Sequence, residues 1–168
     1  VSGSGVILVS FILAACSGEG PTASEASRAH HAGAAEVSGP TTDLNVRLVN
    51  AGRGEGFIKF RQQDDGLAKI YLGTKIEGLD PDHDYFLQRA ALTLGSGCVN
   101  SGWLTLGLGT VVTPIHTNAG GVGRADLFRN LPATLIGVSF DIHFQIIDAV
   151  SGEVVLESDC YQYIVSGD

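Results

Sequence analysis

From Asp43 onward, apolar side chains recur at every second residue, and this period of two constrains the fold more than any other feature of the 168-residue chain. In DLNVRLVN, Leu44, Val46 and Leu48 alternate with Asn45 and Arg47. In GFIKFRQ, Ile58 and Phe60 point one way while Lys59 and Arg61 point the other. In AKIYLGTKI, Ile70, Leu72 and Ile76 alternate with Lys69, Tyr71 and Lys75. In SFDIHFQII, Phe140, Ile142, Phe144 and Ile146 alternate with Asp141, His143 and Gln145. Such segments are strands with one apolar face. Further strands are expected at about 85–94, 103–106, 111–116, 123–128 and 154–165. Turn signals separate them: Asp64-Asp65-Gly66, Asp80-Pro81-Asp82, Asn118-Ala119-Gly120-Gly121 and Ser151-Gly152. No amphipathic helical period interrupts the series. The expected fold is all-β, an antiparallel Greek-key sandwich or barrel of about eight strands.

The N-terminal part reads differently. Val6 to Ala15 is an apolar run broken only by Ser10. A membrane span takes about 20 residues, but an export signal needs an apolar region of only roughly 7–15. Leu13-Ala14-Ala15-Cys16 resembles the lipobox of bacterial lipoproteins. That resemblance implies cleavage before Cys16, attachment of a diacylglycerol with palmitate-type chains to its thiol and anchoring in the cell envelope. Ser17, in place of an aspartate, implies the outer membrane, with the domain facing the periplasm or the cell surface. An ordinary export signal, or a buried strand with an incidental cysteine, is the other reading. The Ser-, Ala-, Gly- and Pro-rich stretch that follows has no periodicity and reads as a disordered tether. His30 and His31 within it read as incidental. The expected organisation is a signal peptide at 1–15, a lipid-anchored tether at 16–42 and a β-domain at 43–168.

The net charge of −8, without any basic cluster, argues against nucleic acid as a partner. Cys98 and Cys160 are the remaining cysteines. In an exported chain an even pair reads most simply as a disulfide, tying the loop after a central strand to the last strand.

The order of motifs in the β-domain is similar to that of copper/zinc superoxide dismutases. The residues that carry the similarity are GEGFIKFRQ, then AKIYLGTKIEGLDPDHDYFL, Gly97-Cys98, the stretch from Thr117 to Ala125, Gly137 to His143, and Cys160. The resemblance covers about residues 44–165. It implies a superoxide-dismutase-like barrel and places both cysteines at the family's bridge. It also implies loss of the metal site. The family's first copper-binding histidine pair falls on Leu87 and Arg89, the loop after Cys98 holds no histidine, and the family's anion-steering arginine falls on Glu157. His143 alone keeps a ligand position and is a weak metal candidate. One imidazole cannot build a copper or a zinc centre, so no cofactor is expected. Separately, Leu79-x-Pro81-x-x-x-Tyr85 is spaced like the tyrosine corner of fibronectin type III and related immunoglobulin-like sandwiches.

Other features read as structural. Asp80, Asp82 and Asp84 alternate in one turn but lack the remaining oxygens of a calcium loop. NAGGVG lacks the Gly-Lys-Ser/Thr of a phosphate loop and reads as a hairpin. His83 and His116, near turns, and His143, on a polar strand face, are expected to be exposed and unpartnered. Trp103 reads as a sheet anchor that could also present a binding surface. The expected function is non-enzymatic: lipid-anchored envelope binding of an unidentified protein or glycan, or a structural role. The alternatives are a superoxide dismutase-family enzyme with a divergent metal site, and a fibronectin-like adhesion or carbohydrate-binding module. A binding module should show an apolar patch near Trp103 or in the 108–116 loop.

Overall fold

The computed structural model describes residues 42–50, 54–63, 68–99 and 102–167. Cys16, His30, His31, the expected signal peptide, nearly all of the expected tether and the Asp64-Asp65-Gly66 turn lie outside them. The strands are β1 Asp43–Val49, β2 Glu55–Gln62, β3 Lys69–Glu77, β4 Asp84–Thr93, β5 Leu104–Thr105, β6 Gly107–Leu108, β7 Val111–Val112, β8 Ile115–His116, β9 Gly123–Asn130, β10 Ser139–Asp148, β11 Val154–Ser158 and β12 Tyr161–Ile164. A single 3₁₀ turn, Ala133–Leu135, precedes β10.

The alternating pattern becomes one core. Leu44, Val46 and Leu48 from β1, Ile58 and Phe60 from β2, and Ile70, Leu72 and Ile76 from β3 are all buried. They meet Tyr85 and Leu87 of β4, Leu127 of β9, and Ile142, Phe144 and Ile146 of β10 in the same cluster. Phe60 sits edge-on to Phe144 and to Tyr163, with ring centroids 5.9 and 4.8 Å apart.

The strands form one nearly closed sheet in the order β5-β4-β10-β11-β1-β2-β3-β9-β6-β7. β4, the 104–108 segment and β9 follow one another in sequence and in space, and β10 then returns to lie beside β4, which is a Greek key. The 104–108 segment joins the two sheet ends. Thr105 and Leu104 pair with Gln88 and Arg89, and Leu108 pairs with Phe128 in the one parallel contact. The Leu106 N–H donates to Leu87 O at 2.8 Å between them. At the opposite end, β8 pairs with the start of β4, and Thr117 bridges to Gly123.

Two expected strands are divided. The expected 111–116 strand is split at Thr113-Pro114 into β7 and β8, while the expected 103–106 strand is shortened to β5 and β6 follows it; a Cβ at Gly107 would run into the carbonyl oxygen of Val111. The expected 154–165 strand is interrupted at Asp159-Cys160, so that β11 pairs with one half of β10 and β12 with the other. The tyrosine-corner spacing is realised: buried Tyr85 accepts a hydrogen bond from the Asp80 N–H at 3.1 Å.

Candidate functional site

The outer face of β10 carries Asp141, His143 and Gln145, opposite in direction to the core residues between them. Polar side chains on an outward face are normally wet, yet Asp141 and Gln145 are buried. For Asp141 the cause is the loop after β4, which folds over it. The Gly97 N–H donates to Asp141 Oδ2 at 2.7 Å and Ser96 Oγ to the same oxygen at 3.4 Å. Cys98 and Cys160 form a disulfide, Cα to Cα 5.7 Å, which fastens the loop to the β11–β12 junction. Gln145 Nε2 donates to Gln88 Oε1 at 2.6 Å, and Gln88 Nε2 donates to Thr105 Oγ1 at 3.0 Å.

Trp103 closes this cover by lying on His143, ring centroids 4.5 Å apart and planes inclined at 33°. It is thus a sheet anchor, and its ring is half-buried rather than open. His143 is half-buried, and its Nε2 has no hydrogen-bond partner among the described residues. Burial holds its pKa below the ordinary histidine value, with the Glu157 carboxylate pulling weakly the other way. The Trp103 indole covers one face of this imidazole.

The expected ligand positions do not converge. Leu87 is fully buried, and Arg89, two residues on, faces the barrel interior with it. His143 lies on the other side of the sheet. The β4 residues that share its face are Gln88 and Ala90, and Ala90 stands directly across from it. Glu157 lies opposite Gln145 and is exposed. Tyr85 sets this parity by filling the core, and the offset of one residue sends the two family positions inward. Among the described residues no group of three or more His, Cys, Asp or Glu side chains could hold a metal ion.

In the acidic turn the Asp84 carboxylate is held by a histidine, and His83 reaches a carboxylate outside it. His83 Nε2 lies 2.6 Å from Asp148 Oδ2, and His116 Nδ1 lies 2.8 Å from Asp84 Oδ1. The expectation of unpartnered histidines is therefore corrected at both positions, because β4, β8 and the end of β10 bring a carboxylate to each. Asp148 also accepts from the Val150 and Ser151 N–H groups, at 2.8 and 2.7 Å. These bonds, that from Ser151 first, hold its pKa down at about 2 against the opposing effect of burial. For Asp141, burial acts to raise the pKa, but hydrogen bonds from Gly97, Gly95, Ser96 and Gln162 outweigh it, and the net shift is downward. Carboxylates with depressed folded-state pKa values stabilise the fold above their unfolded pKa and lose that contribution as pH falls through the folded value. The melting temperature should therefore decline slightly below about pH 6.5, where the unfolded chain protonates His143 and the folded state resists it, and fall steeply between about pH 4 and 2. Replacing Asp148 with Asn should flatten that fall, which thermal melts across this range would read directly.

One feature escaped the sequence reading. Arg89 and Arg129 occupy core parity on their strands, in Leu87-x-Arg89-x-Ala91 and Leu127-x-Arg129-x-Leu131, and both line a cavity in the barrel interior. A cation in register with the apolar face of two strands was the available signal. No protein-family model matches the chain, and no curated protein matches its sequence.

Proposed function

We propose that this chain is a lipid-anchored envelope protein whose superoxide-dismutase-like β-domain binds a partner and catalyses nothing. The observation that carries the binding reading is the β6–β7 hairpin. Leu108, Val111 and Val112 are 45%, 67% and 51% exposed there, on one short hairpin. Exposed aliphatic side chains grouped in this way are what a protein-binding surface needs. A glycan site would present an aromatic platform, and Trp103 is engaged by His143 instead. An envelope protein is therefore the favoured partner over a glycan. Capture from native envelopes should be strong for the wild-type chain and lost for Val111→Asp with the fold intact; equal capture by both sinks this reading.

The non-catalytic reading is supported by residue chemistry. Leu87 has no lone pair, Arg89 stays protonated, and both face the interior. Glu157 puts negative charge where the family steers an anion inward. Protein reconstituted with copper and zinc and then desalted should keep no stoichiometric metal and show no dismutation above buffer. One retained copper per chain, lost on His143→Ala, would overturn it.

The anchor reading rests on the Leu13-Ala14-Ala15-Cys16 motif. Cys16→Ala should move the protein from the membrane fraction to the soluble fraction. Unchanged membrane retention would exclude lipidation at this cysteine.

A further inference from the structure

The barrel wall has a seam. β5 pairs with β4 only as far as Arg89, and β6 pairs with β9 only at Phe128. Beyond those points β4 runs to Thr93 with only β10 beside it, and β9 runs to Asn130 with only β3, among the described residues. Arg89 and Ala91 form one lip of this seam; Arg129 and Leu131 form the other. Behind the lips lies a cavity of about 160 Å³, walled by Phe60, Leu72, Phe144 and Tyr163 among others. We propose that this seam is a binding site for a small amphipathic carboxylate, its carboxyl group held between Arg89 and Arg129 and its apolar body in the cavity.

The charge argument comes first. Two guanidiniums face one apolar space, and none of the residues lining it is acidic. Arg89 stands opposite Phe144, and Arg129 stands opposite Ile70, both core positions. Both arginines are half-buried. Among the described residues the Arg89 guanidinium makes no hydrogen bond or ion pair, whereas that of Arg129 gives a single bond to Gly109 O at 3.3 Å. Burial, and then the like charge of Arg129, hold Arg89 below the ordinary arginine pKa. Cations partly withdrawn from water without a counter-charge are costly, and a second cation beside them raises that cost. A carboxylate between the two forks would accept paired N–H bonds from either side and remove the repulsion.

The walls decide the rest of the ligand. Tyr163 Oη already donates to Gln62 Oε1 at 2.6 Å, so the cavity offers no further donor in need of a partner there. What remains is aromatic and aliphatic surface. A dry cavity of about 150 Å³ is known to take one benzene ring, so the body of the ligand is limited to about one ring or a chain of about six carbons. Nucleotides and long acyl chains are too large. Inorganic phosphate matches the charge and leaves the apolar space unused.

The test is calorimetric titration of the purified full chain with benzoate and with hexanoate, against benzyl alcohol, 1-hexanol and inorganic phosphate. At least one carboxylate should bind, with its alcohol roughly tenfold or more weaker and phosphate weaker still. Comparing the two acids tells a ring-shaped occupant from a chain. Arg89→Met and Arg129→Met should each weaken carboxylate binding by roughly 10- to 100-fold, the range for losing a hydrogen bond to a charged group. Ala91→Phe, which fills one lip and leaves both arginines, should also abolish binding, and it keeps the test open if an arginine variant fails to fold. Circular dichroism and Trp103 emission check the fold of each variant. Alcohols that bind as tightly as the acids, carboxylate binding that survives both arginine substitutions, or no binding of either acid would each overturn the proposal.

Discussion

Replacing Cys98 and Cys160 together with alanine is expected to lower the unfolding free energy by about 4 kcal/mol, measured by urea titration of the oxidised wild type and the variant. The bridge joins residues 62 apart in sequence, and closing a loop of that length removes much of the unfolded chain's freedom. The native state should feel the loss too. The covering loop keeps the bonds from Gly95, Ser96 and Gly97 to Asp141, and the contact of Trp103 with His143 holds its far end. Trp103 is the chain's one tryptophan, so its emission reports this region alone. A red shift should accompany the loss of stability. A change under about 1 kcal/mol with unchanged emission would show that the bridge is incidental to the fold.

Phe144→Ala is expected to cost about 3–5 kcal/mol, the range for truncating a fully buried aromatic. Phe144 has no exposed surface and meets Phe60 edge-on. Its strand is hydrogen-bonded to β4 on one side and to β11 and β12 on the other, so the walls cannot close on the space it leaves. Because Phe144 also lines the interior cavity, that cavity should grow and admit a longer apolar body. Arg47→Ala serves as a control. Its ion pair with Glu55 is exposed, and it should change stability by no more than about 0.5–1 kcal/mol. A Phe144→Ala cost no larger than that of the control would mean that the core repacks.

The strands with a strict period of two were legible in the sequence. Leu44, Val46, Leu48, Ile58, Phe60, Leu72, Ile142 and Ile146 all reach the core as the alternation requires. Legibility ended where a tertiary cover overrides the pattern. Asp141 and Gln145 look solvated from their strand, but the loop tied down by Cys98 covers Asp141, and Gln145 is taken up by Gln88, itself bonded to Thr105. It also ended where a residue's face depends on register. Arg89 falls, by the resemblance, on a metal-ligand position, but with Tyr85 in the core it lies on the opposite side of the sheet from His143. The dipeptide strands from Leu104 to His116 carry no periodicity long enough to read. The histidine–aspartate pairs at 83 and 116 join separate parts of the chain, and no local spacing announces them.

The position of β1 sets a time order. Its one edge pairs with β2 nearby in sequence, but its other edge pairs with β11, Leu48 facing Ser158 and Val49 facing Glu157. β1 must therefore wait for β11, which is made much later, before its second edge is satisfied. Contacts this distant in sequence slow folding, into the millisecond-to-second range common for β-sheet domains. During that interval an apolar, half-paired strand is open to other chains. The same delay keeps a nascent chain unfolded, the form in which it can still be threaded through a narrow pore.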